Sequence, residues 1–171
     1  TLAMVAFLSD WDWLAAEREF RKTFDLKSDY ATAHQWHSLF LAAQGKADEA
    51  LAEARLTQEL DPLSRIIKAN QGRILYFAGR FDQAAEQLRQ ALAQDPGFFA
   101  ARRYLGLIYA ELGRDKEAIA ELKQALALSE DSALIKAELG YAYAAAGQRD
   151  EARKIVNELQ SVSDKSALSF P

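Results

Sequence analysis

The hexapeptide Gly45-Lys46-Ala47-Asp48-Glu49-Ala50 returns as Gly79-Arg80-Phe81-Asp82-Gln83-Ala84, as Gly113-Arg114-Asp115-Lys116-Glu117-Ala118 and as Gly147-Gln148-Arg149-Asp150-Glu151-Ala152. Each copy begins 34 residues after the one before. A fixed period of that length marks a chain of stacked helix–turn–helix repeats, none of which buries its apolar face alone. The expected fold class is all-α, a solenoid of antiparallel helix pairs. Such a scaffold points to binding rather than catalysis.

Working outward from the hexapeptides, position 1 of the repeat falls at Ala31, Arg65, Phe99 and Ala133. Seven of the eight glycines then occupy two positions. Gly45, Gly79, Gly113 and Gly147 hold position 15, between two apolar runs, where a left-handed residue ends a helix. Gly72, Gly106 and Gly140 hold position 8, inside a helix, at a cost of roughly 1 kcal/mol against alanine. That cost is rational if a neighbouring helix comes close there, and the alanines of position 20 (Ala50, Ala84, Ala118, Ala152) offer the approaching surface. Pro62 and Pro96 at position 32 stop the second helix, and the preceding Asp61 and Asp95 are placed to cap the next. Ser129-Glu130-Asp131 replaces that turn in the third copy, keeping a cap but no proline.

First helices are expected near 31–44, 64–78, 97–112 and 131–146, and second helices near 46–60, 80–94, 114–128 and 148–161. Upstream, 11–27 reads as a second helix and 1–9 as the tail of a first helix. Trp11 stands in the turn Asp10-Trp11-Asp12-Trp13 where a glycine is expected. The pattern fades after 161. The chain reads as one domain, 1–171: a partial repeat at 1–30, full repeats at 31–64, 65–98, 99–132 and 133–166, and the start of a truncated one at 167–171. The opening at Thr1 inside an apolar run reads as part of a longer protein.

Composition bounds the function. Half of the 171 residues are apolar, enough for a continuous core. The net charge of -4 gives no electrostatic case for nucleic acid. Split by repeat, residues 1–30, 31–64, 65–98, 99–132 and 133–171 net -2, -3, +2, -1 and 0. Only 65–98 is basic, a mild preference for an acidic partner or an ordinary solvated surface. Without cysteine there is no disulfide or thiolate site. No run of 18 apolar residues appears, so no membrane insertion is expected, and there is no signal peptide. The compartment stays open between cytoplasm, which is favoured, and periplasm.

The layout resembles the tetratricopeptide repeat. Residues 99–132 carry Leu105, Gly106, Tyr109, Ala118, Leu122 and Ala125 at the signature positions. Residues 133–166 carry Leu139, Gly140, Tyr143 and Ala152, and residues 65–98 carry Gly72, Ala84, Leu88, Ala91 and Pro96. The first full repeat departs, with His37 and Ser38 in the Leu-Gly pair and Thr57 for alanine. The resemblance implies a right-handed superhelical solenoid. Residues 10–36, from Asp10-Trp11-Asp12-Trp13 to Ala31-Thr32-Ala33-His34-Gln35-Trp36, also look like tetratricopeptide regions of multidomain bacterial signalling and transcriptional regulators.

The family's first helices line a concave groove, and the resemblance assigns the ligand-facing positions to Thr32, Gln35, Leu39, Ala42 and Ala43; Ile66, Ala69, Arg73, Tyr76 and Phe77; Ala100, Arg103, Leu107, Ala110 and Glu111; and Leu134, Ala137, Tyr141, Ala144 and Ala145. The candidate peptide site is Gln35, Leu39, Ile66, Ala69, Asn70, Arg73, Tyr76, Arg103, Leu107, Leu134 and Tyr141. Arg73 and Arg103 are expected either to fix a ligand's register through a carboxylate or to pair with acids of the chain itself. A chaperone-type carboxylate clamp is not expected. Asn70 matches its second-repeat Asn, but Gln35, Leu39, Ala100 and Tyr104 stand where its other polar groups belong.

Two constellations hint at chemistry and lose to packing. His34 and His37 lie three apart on one helix face, a spacing for two metal ligands, but with no third ligand a core role is expected. Trp11 and Trp13 with Asp10 and Asp12 suggest a sugar platform. Yet Trp13 continues an apolar face with Ala16 and Phe20, and Asp12 reads as an N-cap. No nucleophile–base pair, phosphate loop, cofactor or metal site emerges, so no enzyme is expected. The function read from the sequence is a protein-interaction scaffold binding a peptide or protein segment, as the partner-binding or sensor part of a larger bacterial regulator. The alternative is an assembly module that self-associates through exposed ends, Thr1–Leu8 and Ala167–Phe170.

Overall fold

The computed structural model describes residues 2–9, 11–62 and 64–167. Expectations resting on Thr1, Asp10 or 168–171 lie outside these residues. Among the described residues every regular element is an α-helix: α1 (Leu2–Leu8), α2 (Trp13–Leu26), α3 (Ala31–Ala43), α4 (Ala47–Leu60), α5 (Arg65–Phe77), α6 (Phe81–Gln94), α7 (Phe99–Glu111), α8 (Asp115–Leu128), α9 (Ala133–Ala145) and α10 (Arg149–Ala167). The chain divides into two compact units, Thr1–Gln83 and Ala84–Pro171.

Local chemistry explains the helix ends. Gly45, Gly79, Gly113 and Gly147 have φ between 68° and 76°, the left-handed conformation expected at position 15. The amide after each glycine donates back to a carbonyl of the preceding helix, as Lys46 N does to Leu41 O at 3.0 Å and Gln148 N to Tyr143 O at 2.8 Å, the Schellman closure of a helix C-terminus. Trp11 has φ 52°, so a bulky residue takes the glycine conformation at the first turn. There Asp12 N reaches Ala6 O, one residue further back than in the glycine copies. The Asp12 side chain accepts from Ala15 N at 2.9 Å and caps α2, as expected.

Two expectations are corrected. Asp61 and Asp95 do not cap the following helices. α5 and α7 start after Ser64 and Phe98, neither of which makes a side-chain cap. The turn separates each aspartate from the N-cap position of its helix, and Asp95 Oδ1 instead accepts from Gly97 N at 3.0 Å within the turn. Where the proline is lost, no side-chain cap forms either. Ser132 at the N-cap of α9 makes no such bond, and Glu130 and Asp131 take φ of 51° and 66°. Asp131 Oδ2 accepts instead from Lys136 Nζ at 2.7 Å. Second, α10 runs on to Ala167 rather than fading near 161. Position 32 there is Asp164, so nothing removes a helical amide as Pro62 and Pro96 do after α4 and α6.

In the N-terminal unit, Ala3, Ala6, Ala16, Phe20 and Phe40 form a buried cluster, with Met4, Phe7, Trp13, Phe24 and Trp36 packed against it. Its rings meet edge-on or tilted: Phe7 and Trp13 at 5.3 Å, Phe7 and Phe40 at 5.4 Å, Phe20 and Phe40 at 5.4 Å. In the C-terminal unit, α7, α8, α9 and α10 pack in sequence and bury Leu105, Ile108, Leu122, Ile135 and Ile155. Position 8 is glycine for the expected reason. A Cβ at Gly106 would lie 2.7 Å from Leu122 Cγ and 3.2 Å from the Ala118 carbonyl oxygen. At Gly140 the close neighbour is Ile155, whose Cγ2 would lie at 3.1 Å, rather than the position-20 alanine.

Candidate functional site

Antiparallel packing places α1, α3 and α5 of the N-terminal unit around a cavity of about 640 Å³. Met4, Phe7 and Leu8 come from α1, and Trp36, Leu39, Ala42 and Ala43 from α3. Gly45 follows from the turn, and Arg73, Ile74 and Phe77 from α5. This volume is that of a small-ligand pocket or of several side chains together, and Arg73 is the one charged group in its apolar lining.

Of the candidate residues in this unit, the structure brings Leu39 and Arg73 together in the cavity. Ala42, Ala43 and Phe77, also assigned ligand-facing positions, line it as well. Ile66 is exposed, Gln35, Asn70 and Tyr76 are half-buried, and Ala69 is buried at 6 % exposure. Tyr76 meets the Phe77 ring at 5.3 Å and the Phe81 ring at 5.9 Å. Arg73 has no hydrogen-bond or ion-pair partner among the described residues.

Arg103, in the C-terminal unit, is differently placed. Its guanidinium makes a fork with Glu138, with Nε 2.6 Å from Oε2 and Nη2 closing on Oε1. It also stacks on the Tyr104 ring at 4.9 Å. Glu138's carboxylate outweighs burial and holds the Arg103 pKa above its ordinary value. Leu107 is half-buried, and Leu134 and Tyr141 are exposed. A second, polar cavity of about 530 Å³ lies between Lys116, Ile119 and Lys123 of α8, Tyr143 of α9, Gln148, and Glu151 of α10.

Sequence reasoning missed several partners. Trp36 and Glu138 both occupy position 6. In a parallel stack of first helices that position lies beside the preceding repeat, and the 35-residue separation of Arg103 and Glu138 carries the signal. The wall from α1 sits in the partial repeat, where no glycine fixes the register.

The two histidines have packing partners. His34 is buried, stacks on Phe24 with ring centroids 4.5 Å apart, and places Nδ1 2.6 Å from Glu53 Oε2 and Nε2 2.8 Å from the Ser28 carbonyl oxygen. A carboxylate and a carbonyl only accept, so both bonds are filled when both ring nitrogens carry protons. His37 Nδ1 stands 3.2 Å from Glu53 Oε1 but is not aligned for a hydrogen bond. Burial raises the Glu53 pKa, but the two rings outweigh it and hold the carboxyl below its ordinary value. Among the described residues no group of three such side chains is placed to hold a metal ion. No described helix is long and apolar enough to cross a membrane.

These features define the class: an all-α helical-repeat solenoid. Two family models, both for the tetratricopeptide repeat, match residues 70–133 and 116–168, together more than half of the chain. The chain belongs to the tetratricopeptide repeat family. Its fold is similar to a thermophilic tetratricopeptide repeat protein of Thermus thermophilus (TM-score 0.80, 24 % identity, 99 % of this chain and 96 % of that one). It is also similar to PilW, a type IV pilus biogenesis factor (TM-score 0.81, 23 % identity, 93 % and 74 %). A third similar structure is MamA of Desulfovibrio magneticus (TM-score 0.77, 16 % identity, 96 % and 92 %). No curated protein matches the chain significantly. Tetratricopeptide repeat proteins are in general scaffolds that bind protein partners, and this chain is a protein-interaction scaffold.

Proposed function

We propose that this scaffold is the partner-binding part of a larger bacterial regulator, and that it holds a peptide or protein segment on its first helices. The observation that carries the binding surface is the apolar cavity on α1, α3 and α5, with Leu39 and Arg73 in its lining. The apolar side chains at ligand-facing positions elsewhere, Ile66, Leu134 and Tyr141, support it, because each remains exposed. The regulator context rests on the likeness of the sequence from Asp10 to Trp36 to tetratricopeptide regions of such proteins. Affinity capture with the wild type and with Ala43→Phe, an exposed position whose enlargement obstructs the cavity, tests the reading. Partners should be retained by the wild type and lost by the variant. Identical retention by both would refute binding through this surface.

A second reading, self-association through α1, is favoured by one observation. Leu2, Val5 and Leu8 recur every third residue along α1 and are all more than half exposed. Light scattering across a concentration series separates the two. Mass rising with concentration in the wild type but not in Val5→Glu supports self-association, and a constant monomer mass excludes it.

A further inference from the structure

Arg73 stands apart from the other cation placed at a ligand-facing position. Arg103 has its carboxylate already, in the two-bond fork with Glu138. Arg73 lines an apolar cavity and has no polar partner among the described residues. No acidic side chain is in that lining. A half-buried guanidinium with five donors and no acceptor among the described residues leaves its charge-assisted bonds to solvent or to a partner.

The shape of the surface indicates what that is. Ile66, Asn70, Arg73 and Phe77 follow one another at helical spacing along α5 and form one stripe. The stripe's ends are apolar and open, with Ile66 at 52 % and Phe77 at 67 % exposure. The surface that carries the cavity thus continues along α5 to Ile66, further than a small molecule in the cavity would cover.

We infer that the N-terminal unit recognises a partner segment whose bulky apolar side chains enter the cavity between α1, α3 and α5 while an adjacent Asp or Glu pairs with Arg73. This deepens the partner-binding reading and rests on it. Arg103, being satisfied within the chain, does not share the role.

The test is a selection of displayed peptides on the whole chain, carried out on the wild type and on Arg73→Glu, with Arg73→Ala and Ala43→Phe as binding controls. Arg73 gives up no polar contact on substitution, and unchanged far-ultraviolet dichroism establishes that the variants fold. Peptides enriched on the wild type should carry an acidic residue beside an aromatic or aliphatic one. They should weaken on Arg73→Ala by about tenfold to a hundredfold, the worth of a hydrogen bond to a charged group. Selection on Arg73→Glu should place Lys or Arg at the same offset. Wild-type peptides that keep their affinity for Arg73→Ala but lose it on Ala43→Phe would overturn the role of Arg73 while leaving the partner-binding reading intact. Failure to enrich any peptide would overturn both. Dodecanoate that binds through Arg73, shifts the emission of Trp36 and outcompetes every selected peptide would overturn the peptide assignment in favour of a small amphiphile.

Discussion

Replacing glycine by alanine at the same repeat position should have unequal consequences in consecutive repeats. Inside a helix the exchange favours alanine by about 1 kcal/mol. At Gly106 the added methyl would sit 2.7 Å from Leu122 Cγ, roughly 1 Å inside the optimal carbon–carbon separation, and 3.2 Å from the Ala118 carbonyl oxygen. Leu122 is fully buried and Ala118 O is backbone, so neither retreats without moving α8. Overpacking of this kind costs about 1–3 kcal/mol, and here it falls at the upper end. The net expectation is a loss of about 1–2 kcal/mol, or about 2–8 °C in Tm for a chain of this length. At Gly140 the contact is 3.1 Å to the terminal Cγ2 of Ile155, on α10, which can shift by tenths of an ångström. There the helix gain and the strain cancel to within about 0.5 kcal/mol. Both residues lie in the C-terminal unit, so the comparison is internal. Urea titrations and thermal melts of Gly106→Ala and Gly140→Ala, followed by circular dichroism, measure it. A Gly106→Ala protein as stable as the wild type, or less damaged than Gly140→Ala, would refute the close-approach explanation of position 8.

Two further predictions concern the N-terminal unit. Glu53→Gln removes the carboxylate facing His34 and His37 and should cost about 1–3 kcal/mol at pH 6. Because the folded Glu53 pKa lies below its ordinary value of 4.5, its contribution is present above that value and is lost as pH falls through the depressed one. The difference in Tm between wild type and variant should therefore shrink from pH 6 to pH 3, and a constant gap would contradict it. Trp11→Gly relieves a left-handed conformation worth about 1–2 kcal/mol, offset by about 0.5–1 kcal/mol of glycine entropy. The exposed ring forfeits little burial, so thermal melts should show a variant as stable as the wild type or up to about 1 kcal/mol better, and a clear loss would show that the ring holds the turn.

The repeat was the most legible part of this chain because its signals are local. A glycine that must be left-handed and a proline that cannot donate act through their own backbone, and α3 to α9 fall within two residues of where those signals put them. The misreadings begin where a residue's role depends on what lies across from it. Asp61 and Asp95 have the right chemistry for caps, but the length of the turn decides whether they reach. Glu53 is invisible as the partner of His34 until the face that α4 turns to α3 is known. The candidate surface is legible to the same degree. Leu39 and Arg73 share position 9, and the structure puts both in one cavity. Trp36 and the α1 wall need the packing of neighbouring helices, and the state of Arg103 needs the identity of a residue 35 further on.

The bridge from Arg103 to Glu138 joins consecutive first helices by closing a loop of only 35 residues. Within the C-terminal unit α7 packs on α8, α8 on α9 and α9 on α10, so its contacts are near in sequence. Contact order is therefore low, loop closure costs little entropy, and folding is expected to be fast, since each helix can dock as soon as its predecessor is in place. α10 packs on α9 alone among the recorded helix pairs of this unit, and its amides should exchange with solvent first, leaving α7 and α8 protected.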